Sequence, residues 1–141
     1  MPPCFIGELM DYFKPDMEER DVNAISMLGL AHVGDGVYEL MTRAMLCAAG
    51  HTQVKDLHRL TVSRVNAPAQ AEAMARIADM LTPGEAAVYK RGRNARVNSV
   101  PQHADLAQYH AATGLEALFG WLYLQGMTDR LNELFGKISE D

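Results

Sequence analysis

Two stretches of this chain, 23–49 and 105–126, are apolar on nearly every face of a helix, and each carries near its middle a carboxylate with glycine within four residues of it. Asp35 lies in Ala31-His32-Val33-Gly34-Asp35-Gly36-Val37, and Glu116 lies between Gly114 and Gly120. A helix that is apolar all round belongs in the centre of a fold. Each interior glycine weakens a helix by about 1 kcal/mol relative to alanine, so glycines at 34 and 36 imply close backbone approach beside Asp35. A buried, ionised carboxylate must then be paired or coordinate a metal.

The apolar residues are helix formers: 19 Ala, 15 Leu and 9 Met stand against 9 Val and 4 Ile. With 141 residues, this predicts one all-α domain with a sizeable core. The formal charge of -5 and 22% charged residues exclude a disordered polyelectrolyte. The longest run free of Asp, Glu, Lys and Arg is Val22–Gly34, too short to span a bilayer. No basic region opens Met1-Pro-Pro-Cys4, and Cys4 and Cys47 fit neither a disulfide scaffold nor a zinc ribbon. The expected location is cytoplasmic.

The pattern divides the chain into an acidic extension, 1–22, and a helical domain, 23–141. Phe5, Leu9, Met10, Tyr12 and Phe13 suggest a short amphipathic helix stopped by Pro15. A long helix is expected from an Asp21 or Asn23 cap to about Ala49, with Leu30, Val33, Val37, Met41, Ala44 and Ala48 as its first stripe. Helices follow over 52–66 and from Ala69 to Leu81. Thr82-Pro83-Gly84-Glu85 is a strong helix start, for a short helix ending near Lys90. The stretch Gly92–Pro101 reads as a loop, followed by helices over 105–126 and 128–138.

Two readings of the carboxylates remain open on spacing alone. Each meets an arginine or caps a neighbouring helix, or the two helices cross at their glycines and bring Asp35 and Glu116 together. Two carboxylates with water in the remaining positions suit Mg²⁺. Glu39 has a plain partner one turn on, in Arg43. Lys90, Arg91, Arg93 and Arg96 form a local basic patch, with no acidic residue between Glu85 and Asp105. Such a reversal on an acidic chain suggests phosphate binding, and the lack of interleaved aromatics favours a duplex over a stacked single strand. A solvated charge run is the alternative.

Leu28-Gly-Leu-Ala-His-Val-Gly-Asp35-Gly-Val-Tyr-Glu39, Asp56-Leu-His58, Lys90-Arg-Gly-Arg-Asn-Ala95 and Leu115-Glu-Ala-Leu-Phe-Gly120 together resemble the Mini-III ribonucleases. These form a compact branch of the ribonuclease III family without the double-stranded-RNA-binding domain. The resemblance covers about residues 23–138. It implies that Asp35 and Glu116 are catalytic and metal-binding, with Mg²⁺ as cofactor, and that Lys90, Arg91, Arg93, Asn94 and Arg96 bind RNA. It further implies an all-α homodimer that cleaves double-stranded RNA to 5′-phosphate and 3′-hydroxyl ends. The substrate class the resemblance suggests is 23S ribosomal RNA precursor, with a ribosomal protein as candidate helper. Ala31 and Thr113 stand where the larger ribonuclease III enzymes carry a glutamate and an aspartate. The competing expectation is a non-catalytic RNA-binding or ribosome-associated helical module.

Overall fold

The computed structural model describes residues 10–96, 100 and 105–140. Its helices are α1 (Glu19–Asn23), α2 (Met27–Ala48), α3 (Val54–Val65), α4 (Ala67–Ile77), α5 (Pro83–Arg93), α6 (Leu106–Leu124) and α7 (Thr128–Ile138), with a 3₁₀ turn at Ala78–Met80. No strand occurs among the described residues. No helix among them is long and apolar enough to cross a membrane.

The axle is α6. Ala112 to Leu115 and Ala117 to Leu122 are all buried, which is why this segment is apolar all round. It packs against α2, α5, α4 and α7. Two of these packings bring helix backbones together at glycines. A Cβ on Gly34 would lie 1.6 Å from the Glu116 carbonyl oxygen, and one on Gly120 would lie 2.0 Å from the Leu30 carbonyl oxygen. Where α5 packs on α6, a Cβ on Gly92 would lie 2.7 Å from the Ala117 Cβ, and one on Gly114 would meet the Tyr89 ring at 2.7 Å. Gly36 differs, since its Cβ would meet nothing within 4 Å. Of the two glycines flanking Asp35, only Gly34 serves the crossing.

This contact sets which face of α2 turns inward. The buried residues are Leu30, Ala31, Gly34, Tyr38, Thr42 and Leu46, one position round from the expected stripe. Val33, Val37 and Met41 are half-buried and Ala44 is exposed. The rotation follows from docking on Gly34, because a valine-led face cannot approach a backbone so closely. Tyr38 then packs edge-on against Phe119 and Phe135, with ring centroids 5.2 and 5.7 Å away.

Several boundaries differ from the sequence pattern. Ser26 caps α2 through the Gly29 amide, so the expected Asp21 or Asn23 start gives way to a separate short α1. Asn23 instead accepts a 2.9 Å hydrogen bond from the Trp121 indole, satisfying that buried donor. Gly50, at φ 104°, closes α2 as expected. The short helix expected near the start is not formed at Tyr12 and Phe13, which lie in a turn, while Phe5 and Leu9 are outside the described residues. Pro15 is buried, and the Met17 amide donates to the Leu124 carbonyl.

Asn66 caps α4 through the Ala69 amide, and Pro68 sits in the first turn. The Thr82–Glu85 capping box is present. Glu85 does more than cap, because its carboxylate takes both arms of the Arg130 guanidinium, at 2.8 and 2.9 Å. Burial raises the Glu85 pKa, but the Arg130 and Thr82 hydrogen bonds outweigh it and hold the carboxyl below its ordinary value.

The helix crossing makes a direct stability prediction. Gly34→Ala should lower stability by about 3 kcal/mol, because backbone rather than a flexible side chain must move. Gly136→Ala is the control: its Cβ meets nothing in α7, so the same change should be neutral or stabilise by up to about 1 kcal/mol. Urea melts of the two variants check both signs.

Candidate active site

Asp35 leaves α2 one residue after the crossing glycine, and Glu116 leaves α6 at the residue whose carbonyl Gly34 touches. The crossing therefore places the two carboxyl groups against each other, within hydrogen-bonding reach. Asp35 is exposed, whereas Glu116 is half-buried. No arginine, lysine or histidine forms an ion pair with either one among the described residues. The pairing alternative is realised elsewhere, by Glu39 with Arg43 at 2.7 Å.

The electrostatics follow from this placement. Burial pushes the Glu116 carboxyl up, and the neighbouring Asp35 charge and hydrogen bond push it further, to about 8. Two like charges this close cannot both ionise cheaply. Gln70, on α4, acts in the opposite direction on Glu116. It is 2% exposed, and the motifs in the sequence do not single it out. A signal is nonetheless present in the pattern: Gln70, Ala73, Met74 and Ile77 form the buried stripe of α4, and only the first is polar.

The donor set suits a hard divalent cation. It offers two carboxylates, and no group of three or more His, Cys, Asp and Glu able to hold a metal occurs among the described residues. Ala31 and Thr113 lie one turn before Asp35 and Glu116, and both are buried. The Thr113 hydroxyl donates to the Tyr109 carbonyl at 3.1 Å. Neither position adds a negative ligand, so a cation held by this pair would draw its other ligands from water or substrate oxygens, as Mg²⁺ tolerates. His32, one turn before Asp35 on the chain, is exposed.

The basic segment is built differently from the expected loop. α5 runs on to Arg93, so Lys90, Arg91 and Arg93 occupy its last turn and Asn94 is its C-cap. The helix continues because Gly92 is a packing residue against Gly114 and Ala117, not a breaker. Lys90, Arg91, Arg93, Asn94 and Arg96 are all exposed, and none of the four basic residues forms an ion pair among the described residues. The Arg93 guanidinium lies over the Tyr89 ring, 5.6 Å from its centroid. Residues 97–99 and 101 of the expected loop are outside the described residues. Through Gly92, the basic end of α5 is fixed to the same turn of α6 that carries Glu116.

This geometry can be set beside known proteins. The Ribonuclease III domain family matches residues 28–127. The Mini-ribonuclease 3 of Enterococcus faecalis is 42% identical over 117 residues, covering 82% of this chain and 89% of that protein. The Mini-ribonuclease 3 of Symbiobacterium thermophilum is 45% identical over 107 residues, covering 76% and 82%. A crystal structure of a Fusobacterium nucleatum protein superposes with a TM-score of 0.74 at 27% identity, covering 82% of this chain and 89% of that one. The matched region holds the Asp35–Glu116 pair and the basic end of α5 alike, and the chain belongs to the ribonuclease III domain family.

Proposed function

We propose that Asp35 and Glu116 form the hydrolytic centre of this chain, a double-stranded-RNA endoribonuclease of the ribonuclease III family. The observation that carries the assignment is the α2–α6 glycine crossing, which holds two carboxyl groups together with no basic partner among the described residues. Structural pairing elsewhere looks different, as the Glu85–Arg130 fork shows.

Asp35 and Glu116 would hold Mg²⁺, which when bound supplies Lewis-acid stabilisation of charge developing on the phosphate and helps activate water. The residues themselves set position. Asp35 faces solvent and the substrate side, while Glu116 anchors the pair to the core. Attack of water on phosphorus with cleavage of the P–O3′ bond leaves a 5′-phosphate and a 3′-hydroxyl. No covalent enzyme intermediate is required.

Lys90, Arg91, Arg93, Asn94 and Arg96 bind the duplex in this reading. The deep, narrow major groove of A-form RNA hides base edges, so these side chains meet phosphates and 2′-hydroxyls. The natural substrate is 23S ribosomal RNA precursor, in the cytoplasm, with a ribosomal protein as candidate helper. The active form is a homodimer. An apolar groove of about 410 Å³ is lined by Tyr12, Phe13, Val37, Leu40, Met41 and Tyr123 among others. Phe13 is 80% and Leu40 56% exposed, and Leu40 belongs to the helix that carries Asp35. A second copy covering this face gives a two-fold particle with one centre for each antiparallel strand.

Asp35→Asn and Glu116→Gln should each abolish Mg²⁺-dependent cleavage of long double-stranded RNA while leaving RNA binding intact. The same variants should change stability in a defined direction. The Glu116 pKa is raised on folding, so folded protein binds more protons than unfolded protein between about 4.5 and 8. Metal-free wild type therefore loses stability as pH rises through that window. Glu116→Gln should remove this loss and melt higher than wild type near pH 8. Near-normal turnover in either variant would make that carboxylate structural and the site misassigned.

Replacing Lys90, Arg91, Arg93 and Arg96 by Ala should weaken binding to any duplex and flatten its salt dependence. Every phosphate that the variant no longer neutralises should change the slope of log affinity against log salt by about 0.7 to 0.9. Salt titrations on two unrelated duplexes test this, and an unchanged slope assigns the run to a solvated face.

Sedimentation at working concentration should show a dimer that Leu40→Glu dissociates. An active wild-type monomer would remove the two-strand geometry.

A further inference from the structure

Gln70 is a polar residue in a position built for an apolar one. It heads the buried stripe of α4, followed by Ala73, Met74 and Ile77, and is itself 2% exposed. Its Nε2 is one of the buried side-chain nitrogens with no hydrogen-bond partner. Leaving such a donor unpaired is costly, while an apolar residue of the same shape would avoid that loss. The amide nevertheless lies against the Glu116 carboxyl. A carboxylate only accepts hydrogen bonds, so the end of the amide that serves it is the NH₂ group.

We propose that Gln70 is a positioning residue: its amide holds one oxygen of Glu116 from behind, leaving the other directed at Asp35 to bind the divalent cation. The inference rests on the site assigned above and extends it to a third helix. α2 supplies Asp35, α6 supplies Glu116, and α4 fixes the Glu116 rotamer from the buried side. Two features favour this over plain core packing. The stripe of α4 has no other polar member, and the buried Nε2 finds no other hydrogen-bond partner among the described residues. Partners behind metal-binding side chains commonly change metal affinity 10- to 100-fold when removed. In a site with only two carboxylates, little else fixes the Glu116 oxygens.

The test separates positioning from packing by measuring metal binding and stability on the same proteins, without RNA. Mn²⁺ alone is titrated into full-length wild type, Gln70→Met, Gln70→Leu and Glu116→Gln, and free Mn²⁺ is followed by its electron paramagnetic resonance signal. Methionine keeps the unbranched length of glutamine and removes only the amide, and leucine is the second variant should methionine not fold. The expected result is a Kd about 10- to 100-fold higher for the Gln70 variants, with a metal-free Tm equal to or above that of wild type. A structural role predicts the reverse, a lower Tm with an unchanged Kd. A Kd within twofold of wild type, a loss of affinity that tracks a fall in Tm, or failure of both variants to fold overturns the proposal. If Glu116→Gln abolishes binding while the Gln70 variants bind normally, the site stands and Gln70 is excluded from it. If Glu116→Gln leaves the Kd unchanged, the metal site itself is misassigned and the positioning role falls with it.

Discussion

The contact between the α2 and α6 backbones at Gly34 and Gly120 is the constraint from which the rest of the structure follows. A single methyl group at either position would overlap a carbonyl oxygen of the other helix. Helices this close leave no room for side chains between them, so the residues next to the crossing are pushed to its edges. Asp35 and Glu116 are those residues. The same economy recurs where α5 packs on α6: Gly92 and Gly114 bring α5 in and carry its basic end to the turn that holds Glu116. One helix thereby registers an acidic pair and a cationic surface against each other.

Much of this is legible in the chain. Helix formers dominate the apolar residues, and glycines in a helix interior are too costly to keep without a packing reason. The Thr82-Pro83-Gly84-Glu85 start and the Glu39–Arg43 pair appear as the sequence pattern predicts. What local pattern does not supply is the third dimension. Gly36 and Gly34 are indistinguishable in sequence, yet only Gly34 meets α6. Gly92 resembles a helix breaker until Gly114 and Ala117 are placed opposite it. Gln70 lies far from both carboxylates along the chain, and only the packing of α4 on α6 brings it to Glu116. Glu85 is readable as a cap but not as half of an ion pair, because Arg130 is 45 residues away.

The two acidic groups drawn into the fold make an instructive contrast. At Glu85 the Arg130 and Thr82 partners outweigh burial, whereas at Glu116 burial, the largest cause, and a like-charged neighbour act in the same direction. Glu85 is 3% exposed, yet its pKa is held down because Arg130 and the helix start satisfy its oxygens. Glu116 is only half-buried, yet its pKa is pushed up to about 8, by burial and by a neighbour that is another carboxyl group. The first arrangement stabilises a helix and a helix pair. The second is a local conflict that the fold holds in place, the kind of departure from self-consistency that marks functional rather than structural positions.

The central claim is that the glycine crossing brings Asp35 and Glu116 together to hold a divalent cation. Crystals grown with Mn²⁺ and measured at the manganese absorption edge test it most directly. The account predicts an anomalous peak within ligand distance of oxygens from both carboxylates, with its remaining neighbours water. Anomalous density elsewhere on the molecule, with none between Asp35 and Glu116, would contradict it.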